Sequence, residues 1–504
     1  MTEVTQQRTV NSTPGGSETR ARLSTLFLPT ATALAIAALL VRVIVDSDTW
    51  FQVAIGRDIL RRLEVPRIDH YVAAAFNRPY HDSHWLFQVL FSLADSCGGM
   101  TAVGLLMIIL WGCTLFFCYR ASRRWNSTTV CCLLVFLAAM ACSDRFIPRP
   151  EVVSYLMVAV FYYLLQERRV TSARHLTLFA LLQAAWANSH GLFVIGPFMA
   201  GCYLLSVVVF PGRTEDPGPL ALFKLVAVLL VATIATPFGI EGWRYAMLLA
   251  IEAGPKSSPL FQGLIELTPT FGKVARSFPD FWCYLLLLVA FVVTSVIALL
   301  KREISLARLI LVLALLGVSL TGRRNMTFLA LTAVPLIAEN IFRVRPVLVF
   351  PRQFQINLAL FLLGFASLPV TGIYYKAFNM PLRFGLGIAR EAYSTGLPKF
   401  LSQIGFRGVV YTPPYLGGYS LYHGLTPMVD GRWEVYDPGV LDTVLNARFD
   451  RKTWNLVISS YDIRGVMVGY GEYDTDPLLQ RLSEDQRFQN VYNDEAVSFW
   501  KRVY

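Results

Sequence analysis

The chain has 504 residues, of which 55% are hydrophobic and only 16% charged, with a mean hydropathy of +0.48; a soluble chain carries about a quarter charged residues. A soluble globular protein is thereby excluded, and a polytopic membrane protein expected. The formal net charge of +11 does not point to nucleic acid, because the Arg and Lys residues mostly flank apolar runs, where they suit membrane lipids with anionic headgroups.

Residues 1–22 are polar and rich in Thr, Ser and Gly, which reads as a disordered tail. Leu23–Val45 is long enough to span a bilayer and lacks a small-residue cleavage site, so it reads as an anchor. Further apolar runs follow at Met100–Tyr119, Thr128–Cys142, Val152–Leu165, Leu176–Ala187, Leu192–Phe210, Leu220–Ala235, Phe281–Leu300, Leu306–Leu320, Met326–Ile341 and Ile356–Tyr374. They predict a mainly α bundle of about 11 spans over residues 23–375, several of them short for a bilayer that wants ~20 residues each. The breaks at Asn188–Gly191 and Thr321–Asn325 also allow re-entrant pairs.

Basic clusters orient the chain. Arg120, Arg123 and Arg124; Arg168, Arg169 and Arg174; Lys301, Arg302 and Arg308; and Arg343, Arg345 and Arg352 occupy alternate short loops. The positive-inside rule makes these loops and the N-terminal tail cytoplasmic. Residues 46–84 and 236–280 are then long outer loops. In the first, Thr49–Leu63 and Ser83–Ala94 have the spacing of interfacial helices.

Residues 376–504 change to the composition of a soluble extracytoplasmic domain. Strands are expected at Gly408–Thr412, Pro427–Val429, Asn455–Ile458 and Arg464–Val468, helices at Arg390–Gln403, Pro438–Arg448 and Pro477–Asp485, and a closing strand or hairpin over Val491–Val503. The alternation indicates an α/β or α+β unit. The eight cysteines all lie earlier, in or beside apolar runs, with neither metal-ligand nor disulfide spacing.

Asp46 and Asp48, at the outer end of the first run, are the foremost chemical candidates. Acidic groups at the hydrocarbon edge are costly, and in that place they suit a general base or the ligands of a divalent cation. Arg42 lies four residues before Asp46, the spacing of a helical ion pair, which would make Asp46 structural and leave Asp48 to act. His81, Asp82 and His84 form an H-D-x-H cluster, readable as metal or substrate ligands or as loop-orienting groups. His190, with Asn188, stands between two spans. Arg145 and Arg149, in SDRFIPRPE, and Arg323 and Arg324, in TGRRN, have the planar forks that hold phosphate; pairing of Arg145 with Asp144, and snorkelling of the latter two, are the alternatives. Glu266 sits on the second outer loop. Asp430, Arg432 and Glu434 alternate along a strand-like stretch, as an acceptor contact or an ion-pair ladder.

DSDTWFQVAIGRDI, VPRID and HDSHWLF, followed by WANSHG, TPFG, IELTP and VDGRWEVY, together resemble a bacterial group within the GT-C superfamily of membrane glycosyltransferases, which includes oligosaccharyltransferases, protein mannosyltransferases and lipid A aminoarabinose transferases. The group pairs D-x-D-x-W-W with a downstream W-L-x-E element; here Phe51 replaces the second Trp and Gln88 the Glu. The W-W-D motif of oligosaccharyltransferases is absent. The resemblance implies a lipid-linked sugar donor facing the first outer loop, with Asp48 as base or metal ligand and Asp46 beside it, and an extracytoplasmic glycan, lipid or protein acceptor. A flippase of lipid-linked saccharides would instead place charges near the midplane of several spans and show related halves, and no internal repeat is found. A catalytically inactive scaffold that keeps the frame is the third possibility.

Overall fold

The computed structural model describes residues 14–503 apart from 168, 169, 171, 211–216, 253–267, 346, 347, 349 and 471–474. Glu266 lies outside the described residues. Every apolar run becomes a helix. In chain order these are α1 (Pro14–Leu40), which begins within the stretch expected to be a tail, the short helix α2 (Asp48–Arg62), α3 (Trp85–Arg123), α4 (Thr128–Ala141), α5 (Glu151–Gln166), α6 (Ala173–Ala187), α7 (Ile195–Val209), α8 (Pro219–Ala232) and α9 (Glu241–Glu252). After a short α10 (Lys273–Arg276) come α11 (Pro279–Leu300), α12 (Leu306–Ser319), α13 (Met326–Val344), α14 (Arg352–Val370) and the single turn α15 (Ile373–Ala377).

Among the described residues, five helical segments are long and apolar enough to cross a membrane, and five shorter apolar helices accompany them. The chain is a multi-pass membrane protein. Helix α13 runs through the centre of the bundle, with Thr327–Asn340 entirely buried. Helices α11 and α14 turn Leu286, Val292, Leu360 and Phe361 outward, as lipid-facing surfaces do. Helix starts follow local chemistry: the side chains of Ser127 and Ser172 accept the Val130 and His175 N–H groups, satisfying donors that a helix start leaves open.

The expected interfacial helix at Ser83–Ala94 is not separate from the next span. Both belong to α3, which kinks at Gly98–Gly99, where Gly99 takes a φ of +63° open to glycine at little cost.

Polar groups gather at the two ends of the bundle. At one end Arg308 and Arg343 share Glu339 at 2.6 and 2.8 Å, and Arg124 pairs with Glu167 at 2.9 Å. The basic loops thus come together, as their charge pattern predicts. Asp46, Arg145, Arg149, His190 and Arg323 occupy the opposite end.

Above that second end sits the C-terminal domain. It contains α16 (Leu397–Gln403), β1 (Val409–Tyr411), α17 (Pro414–Tyr422), β2 (Thr426–Pro427), α18 (Pro438–Asn446), α19 (Arg451–Ser460), β3 (Ile463–Gly469), α20 (Thr475–Glu484), β4 (Phe488–Asn493) and β5 (Val497–Arg502). The sheet order is β2-β1-β3-β5-β4, with parallel pairing around β1 and antiparallel pairing around β5. Along β3, Val466 and Val468 bury on one face and Met467 on the other, as the two-residue strand period requires. Asn455–Ile458, expected as a strand, lies in α19. Trp454, Val457 and Ile458 bury together at helical spacing, and Asp450 caps the start through the Thr453 N–H at 2.7 Å. The helix expected from Arg390 is confined to α16.

The domain is seated on the loop of residues 46–84 by close backbone approach. Gly418 makes that approach, where a Cβ would stand 3.0 Å from the Ser47 carbonyl and the Phe51 nitrogen, while Gly417 leaves no room for a Cβ against the Val429 carbonyl of its own domain. Arg57 reinforces the seat, donating to Asp95 at 3.0 Å and to the Tyr422 carbonyl at 3.3 Å, while the Tyr422 hydroxyl donates to Asp95 at 3.0 Å. Gly417→Ala should therefore lower stability by about 1–3 kcal/mol through overpacking, measured as a reduced thermal midpoint of the detergent-solubilised protein. An unchanged midpoint would mean that the close approach of α17 to Val429 does not hold the domain together.

Candidate active site at the outer edge of the bundle

The expected Arg42–Asp46 pair does not form. Helix α1 ends at Leu40, and the chain continues through bridges from Arg42 to Phe384 and from Ile44 to Ile388, so helical spacing no longer applies. Arg42 instead donates from Nε to the Phe146 carbonyl at 2.9 Å. Asp46 caps α2: its Oδ2 accepts the N–H and hydroxyl of Thr49, each at 3.0 Å. A carboxylate there complements the positive end of the helix.

Arg149 joins the two acids. Its Nε meets Asp46 Oδ1 at 2.7 Å and its terminal nitrogen meets Asp48 Oδ2 at 3.1 Å. The side chain of Asp46 is 4% exposed, against 21% for Asp48. Asp48 is therefore the acid a substrate can reach. Gly431 of the C-terminal domain lies against it so closely that a Cβ would collide with Asp48 Oδ1.

The other arginines divide. Arg145 is buried and donates to Glu151 at 2.8 Å, with Asp144 only at 4.0 Å. Arg323 is buried rather than snorkelling: it donates twice to Asp280 at 3.1 Å, lies 3.0 Å from Asp144, and packs its guanidinium over Phe278 at 4.1 Å. Arg324 is half-buried and makes no hydrogen bond or ion pair among the described residues. Its charge acts on His190.

The histidines separate as well. His81 lies between Phe238 and Tyr245, with ring centroids 3.9 and 4.2 Å away. His84 instead stacks on His190 at 5.4 Å. The H-D-x-H cluster thus serves two places. His190 Nδ1 is 2.7 Å from the Ser154 hydroxyl, which also receives the Trp186 Nε1–H at 2.8 Å. Burial depresses His84 to about 3, and His81 and His190 to about 4, so all three are uncharged at neutral pH. Asn188 receives the Trp85 Nε1–H at 2.8 Å and joins the loop to α6.

Asp430 and Arg432 lie on no strand, and Trp433–Val435 is a turn of 3-10 helix, so the expected strand face is absent while the expected ion pairing forms. Arg432 is buried, donating to Asp430 at 2.8 Å and to Asp69 at 2.6 Å, and Phe51, Tyr71 and Tyr80 surround its guanidinium. Sequence reasoning missed Asp69 as a partner, although VPRID contains it. The pairing flanks Gly431.

Asp82 is wholly buried, accepting the His84 N–H at 3.1 Å, and burial raises it to about 7. Its Oδ2, and both side-chain polar atoms of Gln88, have no partner among the described residues. An acid raised in the fold keeps its proton there while the unfolded chain loses one from about pH 4. Between pH 4 and 7 the native state binds more protons, and stability falls as pH rises. The buried histidines work oppositely over about pH 4 to 6.5. Asp82→Asn should remove the downward contribution, so that its stability relative to wild type grows from pH 4 to 7 in denaturation curves; a difference constant with pH would contradict the protonated acid.

No protein-family model matches the chain, and no curated protein does. Solved structures match over most of its length. The archaeal oligosaccharyltransferase AglB from Archaeoglobus fulgidus, in complex with an inhibitory peptide and a dolichol-phosphate, is 12% identical with a TM-score of 0.59, over 89% of this chain and 70% of that one. ArnT from Cupriavidus metallidurans, bound to undecaprenyl phosphate, is 12% identical with a TM-score of 0.53, over 95% of this chain and 98% of that one. The Archaeoglobus oligosaccharyltransferase was also crystallised with Zn and sulfate, at 13% identity and a TM-score of 0.54 over 88% of this chain and 68% of that one. Here the Arg149 guanidinium already lies between Asp46 and Asp48, and among the described residues no three His, Cys, Asp or Glu side chains converge on a metal position; the arrangement does not fit a divalent cation. At this level of identity the likeness fixes the architecture: this chain has the fold of the GT-C membrane glycosyltransferases.

Proposed function

We propose that this protein transfers a sugar from a polyprenyl-phosphate-linked donor to an acceptor hydroxyl on the extracytoplasmic side of the membrane, the acceptor being a glycan, lipid or protein. The basic end of the bundle is cytoplasmic in this reading, and the C-terminal domain lies outside. The observation that carries it is Asp48: a partly exposed carboxylate at the edge of the bundle, paired with Arg149 and covered by Gly431. The dolichol-phosphate and undecaprenyl phosphate in the AglB and ArnT structures support the choice of donor.

In the reaction the acceptor oxygen bonds to the anomeric carbon as the bond from that carbon to the phosphate oxygen breaks. The acceptor proton passes to Asp48, and the polyprenyl phosphate leaves with the bonding electrons. Arg324 and Arg149 neutralise the developing phosphate charge, which a low-dielectric edge makes effective. Neutral His84 and His190 add hydrogen-bonding capacity without drawing the phosphate away. Arg145 and Arg323 hold Glu151, Asp144 and Asp280, and so keep the neighbouring turns in place rather than bind the donor. The amphipathic α2 and the first turns of α3 border the route by which a lipid donor arrives from the bilayer.

The Arg149 clamp gives the inactive-scaffold reading its own support, since a carboxylate held by a guanidinium is a weaker base. Transfer from a radiolabelled polyprenyl-phosphate sugar by membranes containing the protein separates the two. Asp48→Asn should reduce turnover by roughly 10²–10⁴-fold, the range of a lost general base, and Arg324→Ala should raise the donor KM by about 10-fold or more, as loss of a charged hydrogen bond does. Transfer unaffected by Asp48→Asn would remove Asp48 from the chemistry, and no transfer by wild type with any acceptor class would favour the scaffold. Because Arg149 already bridges the acids, transfer should persist in EDTA. Activity lost in EDTA and restored by Mn²⁺ or Mg²⁺ would show instead that a cation displaces Arg149.

A further inference from the structure

A cavity of about 270 Å³ lies in the C-terminal domain between α16, α17 and the turn leading to β1. Leu397, Leu401, Phe406 and Leu425 give it an apolar side. Ser402, Gly405, Arg407 and Gly424 form an exposed rim. Gly405 and Gly424 take positive φ, +59° and +79°, so the two rim turns are tight and carry no side chain across the mouth.

Three polar groups at the cavity have no internal use. The Arg407 guanidinium, the Ser402 hydroxyl and the ring nitrogens of His423 make no hydrogen bond or ion pair among the described residues. His423 is held by its ring faces and edges, with centroids 4.6 Å from Tyr419, 4.9 Å from Tyr422 and 5.9 Å from Trp50. Burial, with Arg57 nearby, depresses it to about 4. It is therefore a neutral imidazole that both donates and accepts.

We propose that this cavity binds an anionic sugar residue of the acceptor glycan, remote from the bond being made. A pyranose offers apolar C–H faces and a rim of hydroxyls, matching the apolar side and the Ser402 and His423 groups. A carboxylate or phosphate on the sugar meets Arg407, the cavity's one cationic side chain. The volume lies just below the usual range of about 300–1,000 Å³ for small-molecule pockets, which suits one residue rather than a long segment. The cavity is coupled to the chemistry through rigid contacts. Tyr419 and His423 pack on Trp50, two residues beyond Asp48, so a glycan anchored here is held by the same helix pair that positions the acid. Assigning the ligand to an acceptor rests on the transferase reading; the existence of the site does not.

The test uses the full chain in nanodiscs and, as probe, a tetrasaccharide carrying one glucuronate, with its methyl ester as control, followed by saturation-transfer NMR and calorimetric titration. The acid form should bind saturably. Esterification and Arg407→Ala should each weaken it by about 10-fold, the loss of one charged contact, while Asp48→Asn leaves it unchanged. Ser402→Trp, a substitution at an exposed position that fills the mouth, should abolish binding without lowering the thermal midpoint. A phosphorylated tetrasaccharide run in parallel distinguishes carboxylate from phosphate as the anion. Failure of the wild type to bind any of these anionic probes, or equal affinity in Arg407→Ala and Ser402→Trp, would overturn the site. Binding without transfer would remove the transferase reading and leave the site standing; transfer without binding would do the reverse.

Discussion

The arrangement depends most on Arg432, buried between Asp69 of the 46–84 loop and Asp430 of the C-terminal domain. Neither side of that junction is held by a disulfide: all eight cysteines are free and lie before residue 376. A buried ion pair contributes little net stability against an apolar replacement, yet losing one partner costs roughly 3–5 kcal/mol, because the charge left behind has no water to turn to. Its effect is therefore one of register. With Asp69 and Asp430 both on one guanidinium, Gly431 has one place to go, and that place is against Asp48.

A second constraint comes from the low-dielectric edge on which the site is built. Charges there are tolerated when they are answered, and most are. Asp46 and Asp48 answer Arg149, Glu151 answers Arg145, and Asp280 and Asp144 answer Arg323. The imidazoles avoid the cost by staying neutral. Arg42 and Arg324 form no ion pair among the described residues; Arg42 donates to the Phe146 carbonyl, while Arg324 makes no hydrogen bond. The imbalance is what an anionic ligand would correct, and it arises in a turn (Arg323–Asn325) whose neighbouring arginine is fixed on both sides.

The helical bundle was legible because its apolar runs are continuous, even where short, and its basic loops regular. What failed was reasoning that assumed local geometry. The Arg42–Asp46 spacing is right for a helix, but α1 stops at Leu40 and the arginine turns to Phe146 instead. Asn455–Ile458 is apolar and β-prone, yet a four-residue window cannot separate a strand from the buried turn of a helix; Trp454 and the Asp450 cap decide it. His81 and His84 share a sequence cluster, but their rings go to Tyr245 and His190, residues that only the packing of α9 and α6 brings near. Asp430 and Arg432 do meet, through long-range pairing with Asp69 rather than along a strand. Among the candidate site residues, Asp48 and Arg149 were legible as chemistry, while their direct pairing across 101 positions was not.

The departures from the resembling motifs also have a physical sense. Phe51, in place of a second Trp, forms one wall of the Arg432 enclosure, where the space is shared with Tyr71 and Tyr80. Gln88, in place of Glu, is fully buried close enough to Asp82 to act on its proton affinity. A carboxylate at position 88 would face a second acid in the same dry interior, where the two could not both ionise. Glutamine keeps the shape and removes the charge. The acid that the motif would supply inside the loop is thus silenced twice, by substitution at 88 and by burial at 82. Asp48 keeps a partly exposed carboxylate where α2, the Arg149 turn and the C-terminal domain meet.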